Sequence, residues 1–185
     1  YTTDVNPGSG NIEFDYWASG DNPWTAESRG DNISGLFEFN EELYAWGSES
    51  LEIWIDDGVT PWTPLPQASA NVGLEAPNSV AALDNSMFGL CVVDNTRVVV
   101  RFQGRIPQSI STPISRVLAS YTTVSDAVGS VVSIQGMPCY LLKFPTQGVC
   151  WVYNTVTDVW VQWGTWNTTN NAMGAFIGQH AVFVK

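Results

Sequence analysis

The sequence predicts an all-β fold of the β-propeller type, with consecutive four-stranded antiparallel blades, an incomplete ring and one short inserted helix. Apolar residues occur in short alternating or continuous runs, and Gly, Asn, Asp or Pro separates one run from the next. Long stretches with the periodicity of a helix are almost absent. The pattern of strands and turns also repeats along the chain, at a spacing close to the ~40–45 residues of one propeller blade.

Four repeat units carry this prediction. They are separated by 44, 52 and 44 residues, since their equivalent starting points are Leu36, Val80, Val132 and Phe176. We treat the whole chain as one propeller-like domain, or a segment of one, with units near residues 33–66, 76–106, 130–166 and 172–185. The last unit stops in its second strand. We therefore expect either a longer propeller or a second chain that pairs with the open edges.

Each unit is predicted to be a meander of short strands. The first unit reads LFEF, LYAW and LEIWI, and the second reads VAAL, MFGLCVV and RVVVRF. The third unit shows four strands, which are VSI, CYLLKF, VCWVY and VWVQW. Residues that favour tight turns lie between these strands, at Asp84-Asn85, Gln135-Gly136, Gln147-Gly148 and Gly178-Gln179.

One short helix is expected between the second and third units, near residues 112–121. Ser111 and Thr112 precede Pro113, and a hydroxyl residue followed by proline is a signal for the start of a helix. The apolar face of this helix would consist of Ile114, Val117, Leu118 and Tyr121. Such an insertion explains the longer middle spacing, and we expect the helix to lie on the blade edges.

The net charge excludes several classes of binding. The chain has seven Lys and Arg against 18 Asp and Glu, which gives a formal net charge of −11. Tight binding to DNA, RNA or an anionic membrane needs clustered basic residues that replace counterions, so we expect none of these. No apolar stretch approaches the ~20 residues of a membrane span, and no secretion signal is recognisable.

The residues also give no support for an enzyme, a metal site or a cofactor. Cys91, Cys139 and Cys150 lie in apolar runs without metal-ligand spacing, so buried free thiols in a reducing compartment are expected. His180 is the single histidine, which argues against a His-dependent triad or a zinc site. The acidic residues lie mostly at turns and on the polar side of strands, where a carboxylate needs no catalytic role.

Eight of the nine tryptophans divide into two groups. Those within strand runs are expected to fill the space between blades, and they are Trp46, Trp54, Trp151, Trp160 and Trp163. Trp17, Trp24 and Trp62 lie instead in loops rich in Pro, Gly and Asp, and they are the candidate functional residues of the surface. They would either pack against a neighbouring subunit or stack on a ligand such as a sugar, because aromatic residues are enriched at interfaces.

Several stretches resemble the packaged-DNA stabilisation proteins of short-tailed bacteriophages. They are GSESLEIWIDDG at 47–58, VGLEAPNSVAALD at 72–84, QSISTPISRVL at 108–118 and FPTQGVCWVYNTVTDVWVQW at 144–163. Their order and spacing carry the resemblance, which covers residues 46–166. Residues 1–35 show no clear match to that family.

The resemblance implies a structural virion protein that closes the portal channel after packaging and retains the DNA until ejection. It implies a portal or adaptor ring and tail needle or tail proteins as partners, a homo-oligomeric ring, and a virion location after assembly in the host cytoplasm. The net charge of −11 then favours a plug held by protein–protein contacts over a grip on phosphates. The alternative is a carbohydrate- or receptor-binding β-propeller of a phage tail.

Overall fold

Antiparallel hairpins follow one another through the fold, which a computed structural model describes over residues 30–58, 63–65 and 68–176. The first sheet contains four strands in sequential order. They are β1 (Ile33–Phe39), β2 (Glu42–Gly47), β3 (Leu51–Ile55) and β4 (Thr63–Pro64). This sheet corresponds to the first predicted unit.

The second sheet contains β5 (Gly73–Leu74), β6 (Ala81–Leu83), β7 (Ser86–Val93), β8 (Thr96–Gln103) and β9 (Ile106–Ser109). Both β5 and β6 pair with β7, so they are two halves of one strand, separated by the 3-10 turn Pro77–Ser79. The Ser79 hydroxyl accepts a hydrogen bond from the Leu90 amide at 2.8 Å and donates to the Ala76 carbonyl at 2.6 Å. It thus satisfies a backbone donor that the interrupted strand leaves without a carbonyl partner.

The third sheet follows the 3-10 turn Thr112–Ile114 and helix α1 (Ser115–Ser120). Its strands are β10 (Val128–Ile134), β11 (Met137–Phe144), β12 (Val149–Asn154), β13 (Val159–Asn167) and β14 (Ala172–Ala175). β14, which the sequence assigned to a fourth unit, pairs with the second half of β13 and is the fifth strand of this sheet. The rest of that unit, residues 177–185, lies outside the described residues.

Two-residue turns connect β1 to β2, β6 to β7 and β10 to β11. Both central residues have positive φ in Asn40-Glu41, Asp84-Asn85 and Gln135-Gly136. Positive φ at both positions is the requirement of a type I′ turn, whose twist matches that of the flanking strands. Asn, Asp and Gly tolerate this conformation, which made Asp84-Asn85 and Gln135-Gly136 recognisable in the sequence, whereas Glu41 and Gln135 adopt it without such a preference.

The repeat positions agree in two sheets and differ by one residue in the third. Leu36 and Val80 each lie three residues before the last residue of the strand that leads into the turn. The equivalent residue of the third sheet is Val131, so the prediction of Val132 was wrong by one position. Since neighbouring residues of a strand point to opposite faces, Val131 packs towards the second sheet and Val132 belongs to the apolar cluster on the far face.

Large aromatic side chains fill the space between the sheets. Between the first and second sheets, the rings of Tyr44 and Trp46 meet Phe102 edge-on, with centroids 6.1 and 5.5 Å apart. Between the second and third sheets, Phe88 stacks on Tyr140 at 5.0 Å. The buried Trp46 and Trp160 confirm the prediction for these two tryptophans, while Trp54, Trp151 and Trp163 are half-buried.

The helix forms where it was predicted, but its apolar face is narrower. Ile114 and Leu118 are buried in the cluster between the second and third sheets, and Tyr121 packs against that cluster. Val117 is 38% exposed, so its assignment to the apolar face was wrong. The 3-10 turn before Ser115 changes the phase, because it has three residues per turn instead of the 3.6 on which the prediction relied.

The start of the helix is not capped in the predicted way. The Ser111 hydroxyl accepts from the Val99 amide of β8 at 2.9 Å and makes no cap to the helix. At the other end, the Arg97 guanidinium donates to the carbonyl oxygens of Leu118 and Tyr121 at 2.8 and 3.0 Å. Both contacts tie the helix to β8, which explains its fixed position on the second sheet.

Two glycines allow the backbones of neighbouring elements to approach closely. A Cβ at Gly129 of β10 would lie 1.9 Å from the Ser79 carbonyl oxygen, and one at Gly73 would lie 1.9 Å from that of Ser48. Both obstacles are backbone atoms, which cannot move aside as a flexible side chain does. Glycine is therefore required at the two places where consecutive sheets meet.

We expect Gly129→Ala to lower the free energy of unfolding by about 1–3 kcal/mol, because the sheets must separate to admit the methyl group. For a chain of this size, this corresponds to a drop in Tm of roughly 2–12 °C in a thermal melt. Gly30→Ala is the matched control, since nothing lies within 4 Å of a Cβ at that position. Equal melting temperatures for the two variants would contradict the proposed packing.

Candidate functional site

Six of the 13 described carboxylates lie at one end of the sheets, where few basic residues accompany them. In an up-and-down meander, the turn after the first strand and the turn after the third strand lie at the same end. We call this end the acidic end, and its carboxylates are Glu41, Glu42, Asp56, Asp57, Asp84 and Asp158. Arg101 and Arg105 are the basic residues there within the described ranges. The excess of negative charge at this end disfavours contact with DNA phosphates.

Hydrogen bonds between the first two sheets hold the acidic end together. The Asn40 side-chain amide donates to the Asn85 side-chain oxygen at 3.0 Å. This bond joins the β1–β2 turn to the β6–β7 turn. Arg105 forms an ion pair with Glu42, and the Arg105 Nε donates to that carboxylate at 2.8 Å. The Tyr44 hydroxyl bonds to the same carboxylate, and burial with the nearby Glu42 charge raises the pKa of Tyr44 to about 12. This tyrosine is therefore a neutral donor at physiological pH.

A second network lies at the same end, where the side chain of Arg101 in the second sheet interacts with Tyr153 in the third. The Arg101 guanidinium lies 5.6 Å from the ring centroid of Phe88, and its Nε donates to the Ser86 hydroxyl at 3.1 Å. The Tyr153 hydroxyl donates to Asp158 at 2.5 Å. Burial, together with the Asp158 carboxylate, raises the pKa of Tyr153 to about 12. These contacts position the turn between β12 and β13 and provide no activated nucleophile.

The described residues form neither a metal-binding cluster nor a reactive thiol. Among these residues, no three His, Cys, Asp or Glu side chains come together in a way that could hold a metal ion. The three cysteines are buried and free, as predicted. Burial raises the pKa of Cys91 and Cys139, and raises that of Cys150 to about 11, which keeps the thiols protonated and unreactive.

The three predicted surface tryptophans, Trp17, Trp24 and Trp62, lie outside the described residues. The exposed tryptophan that the structure does describe is Trp166, which is 54% exposed on β13. It stands directly opposite Met173 of β14, which is 62% exposed. This pair was not predicted from the sequence, because the last strand of the third unit was expected to end at Trp163 and the pairing of β13 with β14 has no local signal.

A second candidate surface is an apolar cleft at the outer rim of the first two sheets. The cleft has a volume of about 600 Å³, and its lining residues are Leu65, Ala68, Ser69, Ala70, Arg105, Ile106 and Pro107. The backbone bonds of Leu65 to Ile53 and of Ala70 to Leu51 place one wall beside β3. The other wall is the turn into β9. No local pattern indicates this cleft, because its two walls are about 40 residues apart in the sequence.

The residues described by the structure include no helix that is long and apolar enough to cross a membrane. α1, for comparison, has six residues.

A comparison with known families identifies a family to which the chain is similar. The model of the phage-stabilisation family, described as bacteriophage P22 Gp10, beta-propeller, matches residues 20–185. The match includes all three sheets, and it extends into residues 20–35, where the sequence stretches alone had indicated no resemblance. No curated protein matches the chain closely enough to count as a relative.

Asp31 makes the stability of this region dependent on pH. Its carboxylate accepts from the Glu49 and Ser50 amides at 2.7 and 3.0 Å and from the Ser50 hydroxyl at 2.9 Å. Partial burial acts to raise the pKa of the Asp31 carboxyl, but the hydrogen bonds together lower this pKa by more. The pKa of Asp31 is therefore below its usual value. The carboxylate therefore adds stability above the unfolded pKa of ~3.9, and this stability is lost as the pH falls through the lower folded value.

We expect Asp31→Asn to reduce the free energy of unfolding at pH 7, and we expect this deficit to shrink as the pH falls below about 4. Denaturant unfolding of both proteins across this pH range measures the difference. The control is Asp84→Asn, since Asp84 is an exposed turn residue in which asparagine fits the same backbone conformation. A deficit that stays constant down to pH 2 would contradict a role for the Asp31 charge.

Proposed function

Because the chain belongs to the phage-stabilisation family of β-propellers, we propose that it closes the head-to-tail channel of a short-tailed bacteriophage and retains the packaged DNA until ejection. Family membership makes it a structural protein of a bacteriophage, which places it in the virion with other virion components around it. The packing and the charge of the described residues support the role in the portal channel.

The observation that carries this role is the rigid packing of successive sheets combined with the acidic end. Backbone atoms of neighbouring elements approach so closely at Gly73 and Gly129 that a single methyl group would not fit. Large aromatic side chains fill the remaining space on both faces of the second sheet. A body packed at this density resists deformation, which is the property that a plug under pressure requires.

The charge decides how such a plug would hold DNA. Retention by phosphate binding needs clustered Lys and Arg, whereas this chain carries a net charge of −11 and an excess of carboxylates at the acidic end. At physiological salt, repulsion between these carboxylates and DNA extends only about 8 Å. The acidic surface thus prevents adhesion of the DNA, while the blockage itself comes from the protein body. The DNA then leaves freely once the plug is displaced.

The partners of this role are a portal or adaptor ring and tail needle or tail proteins, with copies of the chain arranged as a homo-oligomeric ring. A cyclic portal presents the same surface at each of its subunits. Identical copies bound to it are therefore related by the same rotation, which favours head-to-tail contacts between neighbours that close into a ring.

The alternative function, a carbohydrate- or receptor-binding propeller of a phage tail, depends on Trp17, Trp24 and Trp62. These residues lie outside the described part of the chain, and no observation within that part favours sugar binding. A glycan array with the wild-type protein and a variant in which all three tryptophans are alanine distinguishes the two functions. Glycan binding that is lost in the variant would support the alternative.

The proposed role predicts weak binding to duplex DNA. At physiological salt we expect a Kd well above ~1 µM, because few basic residues are available to release counterions. Fluorescence anisotropy with a labelled duplex measures this affinity, and a basic DNA-binding protein serves as the positive control. A submicromolar Kd would overturn the mechanism of blockage without adhesion.

The role also predicts binding to a portal. Negative-stain electron microscopy of portal rings mixed with this protein should show additional density below the ring, where the channel opens. Rings alone and rings mixed with an unrelated acidic β-protein of similar size are the controls. Rings that remain unchanged at saturating protein concentrations would contradict the proposed function.

A further inference from the structure

The hairpin at the end of the third sheet exposes two large apolar side chains side by side. We call it the Trp166 hairpin, and it comprises Gly164–Asn167 of β13 and Ala172–Ala175 of β14. Trp166 and Met173 are directly opposite each other in this hairpin, and both are more than half exposed. β14 pairs with β13 alone among the described strands. An exposed aromatic with an adjacent thioether is typical of the central residues of protein interfaces.

The Trp166 hairpin is also a neutral surface on a strongly acidic molecule. Residues 159–176 include no Asp, Glu, Lys or Arg, although the whole chain has 18 acidic and seven basic residues. Two copies of a protein with a net charge of −11 repel each other over most of their surfaces. Contact between copies is therefore favoured where charge is missing, which is the case at this hairpin.

The rim cleft, defined by Leu65, Ala68, Ala70, Ile106 and Pro107, has matching properties. It is mostly apolar, its volume is about 600 Å³, and Ile106 on its wall is 73% exposed. Its charged residue, Arg105, is neutralised by the ion pair with Glu42. Pockets in the range of ~300–1,000 Å³ enclose ligands larger than one aromatic side chain, so an indole with a neighbouring thioether fits this volume.

We propose that the Trp166 hairpin of one copy inserts into the rim cleft of a second copy of this chain. The hairpin belongs to the third sheet, whereas the cleft lies at the outer strands of the first and second sheets, so the two surfaces are different parts of the molecule. Such a contact is heterologous, and its repetition produces a closed ring or a filament. The inference deepens the proposed function, because it rests on a ring of identical copies and names the surfaces that join them.

A contact of one hairpin in one cleft is small. It falls among interfaces that bury less than ~1,200 Å², which are typical of weak association. We therefore expect reversible assembly that increases with protein concentration. Closure of a ring strengthens the assembly, since the last contact forms within one complex at a high effective concentration.

Sedimentation velocity and multi-angle light scattering of the full chain test the contact. Trp166→Glu and Ile106→Glu place a charge on the hairpin or in the cleft, and each variant should remain a monomer at concentrations where the wild type associates. Both substituted residues are largely exposed, so the fold should tolerate the changes. Val156→Glu is the matched control, since Val156 is 66% exposed and belongs to neither surface. The control should associate like the wild type.

A mixture of the two variants gives the decisive result. The Trp166→Glu protein retains an intact cleft, and the Ile106→Glu protein retains an intact hairpin. In an equimolar mixture, the intact hairpin of the Ile106→Glu protein should insert into the intact cleft of the Trp166→Glu protein and form a one-to-one dimer. Nothing larger should form, because the hairpin and the cleft that remain free in this dimer both carry a substitution. A mixture that remains monomeric, variants that associate like the wild type, or a control that dissociates equally would each overturn the inference. So would a wild type that stays monomeric at several hundred micromolar.

These outcomes are separate from the test of the proposed function. Wild-type binding to a portal ring does not require association in free solution, so a monomeric wild type leaves that result unaffected. Conversely, failure to bind the portal leaves the measured contact between copies unchanged.

Discussion

Burial of the second sheet on both faces is the constraint on which the rest of the fold depends. In β7, every residue from Ser86 to Cys91 is buried, and successive side chains enter the two aromatic clusters in alternation. Met87 contributes to the cluster with the first sheet, and Phe88 to the cluster with the third. A single strand therefore holds three sheets together, and a change of register by one residue would disturb both interfaces at once.

Burial of the second sheet on both faces explains which features could be predicted from the sequence and which could not. Turns such as Asp84-Asn85 were recognisable, because few residue types accept positive φ at two consecutive positions. The register of β10 was not, since Val131 and Val132 are identical and a pair of valines contains no information about which one faces the second sheet. Val117 was wrongly placed on the apolar face of the helix, because a 3-10 turn precedes α1 and rotates the direction in which the following side chains point. A 3-10 turn has no distinct sequence signal. Local patterns predict elements well, but their phase depends on packing partners elsewhere in the chain.

The candidate surfaces were harder to predict than the fold for the same reason. The rim cleft brings Leu65 and Ile106 together, and nothing near either residue in the sequence indicates the other. Trp166 was visible as a residue, yet its exposure depends on the pairing of β13 with β14. The strongest signal in the sequence was the lack of charged residues over positions 159–176 of an otherwise acidic chain. Such a gap suggests a surface that approaches another acidic molecule.

The distribution of charge also relates the proposed assembly to the proposed release of DNA. If carboxylates were spread evenly, repulsion would oppose contacts between copies as strongly as it opposes adhesion to DNA. In this chain the acidic end carries six carboxylates against two basic residues, whereas the Trp166 hairpin is uncharged and the charge in the rim cleft is paired. Because screening limits repulsion to about 8 Å at physiological salt, these surfaces act independently when they lie farther apart than that. Under the proposed function, copies would join through the Trp166 hairpin and the rim cleft while the acidic end stays free of DNA, so assembly and release of DNA would not conflict.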